Sequence, residues 1–291
     1  MREKYVICFG EILWDNLKEG RMLGGAPLNV CYHLNKLGIK SKIITQIGSD
    51  QDGQAILKEL KRLKIDSTFC STISNKPTST VEVDVGDAGE VVYDIVDDVA
   101  WDYIESSPAI ESVVNEASAL VFGSLIARNP VSQETLFKLV EKSRLRVFDV
   151  NLRHPFYSKN LILSLLEVTN ILKLNAIELD IISDWLGNSD GSFDSRVNYI
   201  QRYFPGIEEI ILTLGGDGAK YYSASEQLTI NAQPVKIKDT IGSGDAFLAG
   251  FLAYKMEERS VKDSLKIASH ISSYVAGQQG ACPDYRLEDM L

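Results

Sequence analysis

Short β-forming runs alternate with helical patterns almost from one end of the chain to the other, and this alternation limits the fold more than any other feature. Parallel neighbours in a sheet need long crossovers, usually helical, so the pattern predicts stacked βαβ units around a mostly parallel sheet. Tyr5 to Gly10 reads as the first strand. Pro27 to Leu37 follows as a helix, with Leu28, Val30, Cys31, Leu34 and Leu37 at helical spacing and Gly38 as its stop. Further strands are predicted at Lys42–Ile47, Ala119–Phe122, Arg146–Val150, Ile171–Leu174 and Glu209–Leu212. The intervening helices are Asp52–Leu63, Ser132–Lys142 and Ala176–Leu186. Asp245–Met256 and Val261–Ala276 close the chain as two long helices, the second opened by Ser260 with Asp263 as a capping box.

One segment breaks the rhythm. In Thr80 to Val96, Val81, Val83, Val85, Val91, Tyr93 and Ile95 alternate with polar residues around the turn Asp87-Ala88-Gly89. That is an antiparallel hairpin with one face covered. It suits either a small lid sheet outside the main layer, to which Ile12–Leu23 would add strands, or an extra edge hairpin on the main sheet. The expectation is one domain over residues 1–291, with a lid formed by about residues 12–23 and 79–98.

Composition excludes several classes. With 291 residues, 45% hydrophobic and 24% charged, the chain is too apolar and too mixed to be disordered or fibrous. Its formal charge of -10 argues against duplex nucleic acid and anionic membrane surfaces as partners. Cys8, Cys31, Cys70 and Cys282 form no C-x-x-C pair, which points to a reducing compartment rather than to zinc. The apolar run Tyr5–Phe9 is too short for a signal-peptide core, and no later run approaches the ~18 residues of a membrane span. A cytoplasmic location is expected.

Asp239-Thr240-Ile241-Gly242-Ser243-Gly244-Asp245, followed at once by the apolar run Ala246–Leu252, is the most informative stretch. At the mouth of a helix, the N–H groups of Gly242, Ser243 and Gly244 would face an incoming anion with the helix dipole behind them. Asp245, in the first turn, is then a candidate proton acceptor for an attacking hydroxyl. An ordinary glycine turn before a helix is the competing reading. No P-loop or dinucleotide fingerprint occurs elsewhere.

A second glycine turn, Gly24-Gly25-Ala26-Pro27-Leu28-Asn29, opens the first long helix, and Gly10-Glu11-Ile12-Leu13-Trp14-Asp15 follows the first strand. Asp15 and Asn29 together are candidates for holding the hydroxyls of a polyol, although each alone is more often a cap or turn residue. His33, His154 and His270 are scattered, and packing or solvent roles suit them better than a metal trio. Of Trp14, Trp101 and Trp185, only Trp14, beside Asp15, has a claim on substrate.

These residues resemble the ribokinase-like PfkB carbohydrate kinases over nearly the whole chain. The family signature D-T-x-G-A-G-D is matched by Asp239 to Asp245, with Ser243 in place of the usual alanine. Gly24 to Val30 resembles the fructokinase form of the N-terminal signature. Asp149-Val150-Asn151-Leu152-Arg153 resembles D-x-N-x-R, Asn175-Ala176-Ile177-Glu178 resembles N-x-x-E, and Thr213 to Ala219 resembles the T-L-G-x-x-G-A nucleotide loop. Five matches in the family's order make chance remote.

The resemblance implies a three-layer α/β/α fold with a central, mostly parallel sheet and a small β lid. It implies an ATP-dependent kinase acting on a sugar hydroxyl, fructose first, with 2-keto-3-deoxygluconate, ribose or a nucleoside as rivals. A sugar-binding regulatory protein without turnover is the alternative from another class. By the same resemblance Asp245 is the base, Gly242, Ser243 and Gly244 the anion hole, and Arg153 a cation near the transferring phosphate. Asp15, Gly24, Gly25, Asn29, Arg153 and Asp245 would bind sugar. Asn175, Thr213, Gly215, Gly218, Gly242 and Gly244 would bind nucleotide. Glu178 would meet magnesium through water, and Asp239 and Ile241, with carbonyls around Gly280, a potassium ion. A homodimer through the lid is a further expectation.

Overall fold

The computed structural model describes residues 4–17, 20–85, 91–188 and 191–289. In chain order it begins with β1 (Tyr5–Phe9), β2 (Leu13–Leu17), β3 (Gly20–Gly24), α1 (Ala26–Lys36), β4 (Lys40–Gly48), α2 (Gln51–Arg62) and β5 (Cys70–Ile73). Then come β6 (Ser79–Val85), β7 (Val91–Ile95), α3 (Pro108–Glu116), β8 (Ala119–Gly123), α4 (Pro130–Lys142), β9 (Arg146–Asp149) and α5 (Lys159–Glu167). The chain continues through β10 (Ile171–Asn175), α6 (Ala176–Trp185), α7 (Phe193–Tyr203), β11 (Glu209–Thr213), β12 (Ala219–Ser223), β13 (Gln227–Ile230), α8 (Ser243–Met256) and α9 (Val261–Ala276).

The main sheet has the order β13-β12-β11-β10-β9-β8-β1-β4-β5. From β5 to β11 all neighbours are parallel, and β12 and β13 add an antiparallel edge. Both faces are covered, as a parallel sheet requires. Along β1, Ile7 and Phe9 join a core with Val114, Leu136, Leu165, Leu179 and Val197 from α3 to α7. Val6 and Cys8 join the opposite core, with Leu28, Ile56, Leu248 and Leu265 from α1, α2, α8 and α9. Within α8, residues Ala246 to Ala253 are all buried, consistent with a helix that is apolar all round.

The hairpin does not extend this sheet. With β2 and β3 it forms a separate four-stranded sheet, β3-β2-β6-β7, in which β2 runs parallel to β6. The turn Asp87-Ala88-Gly89 lies outside the described residues. Val81 and Ile95 are buried. Across the other face Arg21, Asn16, Glu82 and Asp94 form a polar row, with Asn16 donating to Glu82 at 2.5 Å.

Several elements escape periodicity analysis. Helix α7, which buries only Val197 and Ile200, and β5, a half-exposed edge strand, are two of them. The Ser260 cap is present: its Oγ accepts from the Asp263 N–H at 3.1 Å and donates to that residue's carboxylate at 2.7 Å. No helix among the described residues is long and apolar enough to cross a membrane.

Candidate active site

Strand order reverses at β1, which has β4 on one side and β8 on the other, and open α/β sheets bind ligands at the carboxyl ends near such a switch point. A cavity of about 240 Å³ lies there. Glu11 and Asp15 reach it from the segment after β1, Asn29 from α1, Asp149 and Arg153 from the end of β9, and Lys173 from β10. Gly242, Gly244 and Asp245 close it from the start of α8, while Leu13, Val81 and Ile95 of the second sheet cover it.

Local sequence explains how these groups are placed. Gly242 caps α8 in the left-handed region, φ 75°, and a Cβ there would stand 2.4 Å from the Ala281 Cβ. Only glycine fits both conditions. The turn aims the first residues of α8 into the cavity and puts Asp245 Oδ2 2.8 Å from Asn29 Nδ2, which donates to it. Gly25, φ 117°, lets α1 start against the Glu11 carbonyl, which a Cβ would approach to 2.4 Å. Asn29 is thereby carried, buried, to Asp245 across 216 residues of sequence.

Ser243 departs from the anion-hole expectation. Its N–H and its Oγ both donate to the Thr240 carbonyl, at 3.2 and 2.8 Å. Among the described residues none accepts from the N–H groups of Gly242 and Gly244, and both residues line the cavity. The serine thus tightens the turn through its side chain.

A second cavity, of about 540 Å³, adjoins the first. Asn175, Thr213, Gly215, Gly218, Ser243 and Gly244 line it, with Pro234, Val235, Ile237 and Phe247 supplying an apolar wall. Asn175, Thr213, Thr240 and Gly244 border both cavities. Two compartments meeting at a helix N-terminus suit two ligands that exchange a charged group there.

Burial and crowding of acids set the electrostatics. Desolvation and the nearby Asp149 carboxylate raise Asp245 from 3.8 to about 6, against the pull of Lys173, the Asn29 hydrogen bond and Arg153. Desolvation likewise raises Asp15 to about 6, with Arg153 opposing, and Glu11 to about 7. A carboxylate that must be ionised to accept a proton then gives kcat/KM an acid limb. Activity is expected to rise through about pH 6 and level above it, the limb belonging to the coupled acids rather than to Asp245 alone. A profile from pH 4.5 to 8 checks this, and activity that stays level across that range contradicts it.

Other expected residues take definite places. Glu178 accepts from the N–H groups of Leu152 and Asn175, at 2.9 and 2.8 Å, and Asn175 caps α6 by accepting from the Glu178 N–H. Both Glu178 oxygens are therefore engaged by main-chain N–H groups. Asp239 accepts from Ile241 and Gly280 N–H groups, at 2.9 and 3.1 Å, which brings these three residues together behind the turn. Gly24 lies against Asp15, whose carboxylate a Cβ would meet at 2.1 Å. Trp14 does not face the cavity: its indole donates to the Asp52 carbonyl at 3.2 Å under the Arg21 guanidinium. His33 is a packing residue, bonded to Tyr285 and to the Ala281 carbonyl at 2.8 and 2.9 Å.

Sequence reasoning did not single out Glu11, Lys173 or Cys282. Cys282 Sγ donates to Asn29 Oδ1 at 3.4 Å, and only the return of the C-terminal segment brings it there. A signal for Lys173 was available: it is the one charged residue in the strand Ile171-Leu172-Lys173-Leu174.

Residues 9–287 match the model of the pfkB family carbohydrate kinases. The chain belongs to that family. Among its relatives, this pfkB carbohydrate kinase is 30% identical to a fructokinase of Salmonella typhimurium, over 85% of this chain and 83% of the relative. It is 28% identical to a ribokinase of Dictyostelium discoideum, over 90% and 86%. Its fold matches the crystal structure of a Vibrio cholerae fructokinase bound to fructose, ADP and calcium, with a TM-score of 0.85, 21% identity and full coverage of both chains.

Proposed function

We propose that this carbohydrate kinase transfers the γ-phosphoryl group of ATP to a hydroxyl of a neutral sugar, with fructose as the leading substrate. The observation that carries the reading is the Asn29–Asp245 pair in the first cavity at the mouth of α8, next to Gly244, which borders both cavities. Sugar is held by Asp15, Asn29 and the Gly24–Gly25 turn. Asp245 takes the proton as the hydroxyl attacks the terminal phosphorus, and the N–H groups of Gly242 and Gly244 receive the charge that develops on phosphate oxygens. Arg153 adds a positive charge on the sugar side. The nucleotide occupies the Thr213–Gly218 side, with the apolar wall of Val235 and Ile237 for its base.

The donors available to cations are hard oxygens, which suits magnesium carried on ATP phosphates and met by Glu178 through water. Such an ion, when bound, would neutralise negative charge on the phosphates. A potassium ion beside Asp239, Ile241 and Gly280 would steady the turn from behind. The second sheet acts as a lid that excludes water through Leu13, Val81 and Ile95. Dimerisation through this lid would use the polar row Arg21, Asn16, Glu82 and Asp94.

A neutral substrate is favoured because Arg153 shares its cavity with Glu11, Asp15, Asp149 and Asp245. A substrate carboxylate would meet those like charges, although Arg153 could bind it bidentately. Fructose, ribose, glucose, adenosine and 2-keto-3-deoxygluconate, compared at saturating ATP, are expected to give the highest kcat/KM for fructose. A tenfold excess for the keto acid, about 1.4 kcal/mol of transition-state preference, would refute the neutral-sugar reading.

A further inference from the structure

Lys173 is a buried charge in the otherwise apolar run Ile171-Leu172-Lys173-Leu174. It points from β10 to the same side as Ile171, toward the core built on α8, and it is 6% exposed. Two of its ammonium N–H groups go to the two oxygens of Asp149, at 2.9 and 2.8 Å. The ammonium also stands beside the first turn of α8: a Cβ on Gly244 would lie 3.3 Å from Nζ. Glycine at 244 therefore does more than shape a turn, since a side chain there would press against Nζ. Burial opposes the ammonium's charge, but Asp149, Asp245 and Glu178 overcome it and raise its pKa above the usual lysine value.

We propose that Lys173 is a further catalytic residue, a cation that contacts the terminal phosphate of ATP where the two cavities meet, with Asp149 holding it in place. The inference rests on the kinase reading given above. An ammonium with one N–H direction left, buried next to an anion-binding helix start, is preorganised for a phosphate oxygen and needs no reorientation of solvent when charge moves during transfer. Asp149 fixes the rotamer of a flexible side chain, so the entropy of ordering it is met by folding rather than by binding.

Removing the lysine alone leaves Asp149 buried without its partner, so Lys173→Met can fail to fold. The double substitution Lys173→Met with Asp149→Leu removes both charges and retains an apolar fill of similar size. Both variants would be titrated calorimetrically with MgATP and MgADP without sugar, alongside a melting curve. In the folded double variant the preference for ATP over ADP is expected to fall about tenfold, the scale of one charge-assisted hydrogen bond, with ADP affinity within twofold of the wild type. An unchanged ATP-over-ADP preference in a folded double variant would overturn the assignment of Lys173 and leave the kinase reading intact. Failure of the wild type to bind either nucleotide would overturn both.

Discussion

Asp245→Asn is expected to lower kcat by about 10² to 10⁴, the range associated with loss of a positioned general base. Asparagine has nearly the same shape, so it can still face Asn29 and fill the first turn of α8, but it cannot take a proton. ATP binding should persist, because the nucleotide cavity is lined by other residues, among them Thr213, Gly215 and Gly218. The acid limb of the pH profile should change shape in the residual activity, since one of the coupled acids, the carboxyl raised to about 6, is gone while Asp15 and Glu11 remain. Steady-state kinetics with a nucleotide titration checks all three points. Near-normal turnover in the variant would remove Asp245 from the role of base.

The largest stability effect is expected away from the reacting atoms. Arg128 is buried between the rings of Trp101 and Phe156, with its guanidinium carbon 4.0 and 4.5 Å from their centroids. Its Nε and Nη2 each donate to an oxygen of Asp102, at 2.7 Å, and Nη2 also donates to the Val96 carbonyl at 2.8 Å. Both side chains are almost inaccessible, 5% and 1% exposed. Arg128→Ala would strand the Asp102 carboxylate and leave a void between two rings, costing about 3–5 kcal/mol. Thermal unfolding of the single variant, compared with Arg128→Met combined with Asp102→Leu, separates the two causes. The double variant should recover most of the loss, because an apolar pair of similar volume replaces a desolvated ion pair at little net cost. Equal melting temperatures for wild type and Arg128→Ala would show that this pair contributes nothing.

The same arginine joins parts of the molecule that serve the site. Val96 leaves β7 of the covering sheet, and Phe156 belongs to the loop that carries Arg153, whose carbonyl accepts from the Phe156 N–H at 2.7 Å. Loss of Arg128 should therefore loosen both the cover and the Arg153 loop, even in a variant that remains folded.

How much of this was legible in the sequence follows from the range of the forces involved. Apolar periodicity is local, and it revealed most of the parallel strands, the two long C-terminal helices and the alternating hairpin, because a residue's partition between core and water depends on its place within one element. The glycine turns were legible for the same reason. At Gly242 a left-handed backbone at a helix start demands glycine, as the structure has it.

What the sequence left undecided is what depends on the fold's long-range closure. Whether the hairpin extended the main sheet or stood apart was settled by the pairing of β2 with β6, between segments far apart in the chain. The place of Trp14, turned away to Asp52, came from the alternation of a short strand whose register only its partners fix. Glu11, Lys173 and Cys282 meet the signature residues only after the sheet, α1 and the C-terminal segment have packed. Charge effects act through space: Asp245 is raised because burial and Asp149 surround it, and no spacing in the sequence could supply that environment. The sequence by itself thus determined the family and the layered fold, and it marked the α8 turn as the place to look for a site. Tertiary structure alone decided which acids and cations face one another across the cavity, since those energies depend on distance and desolvation.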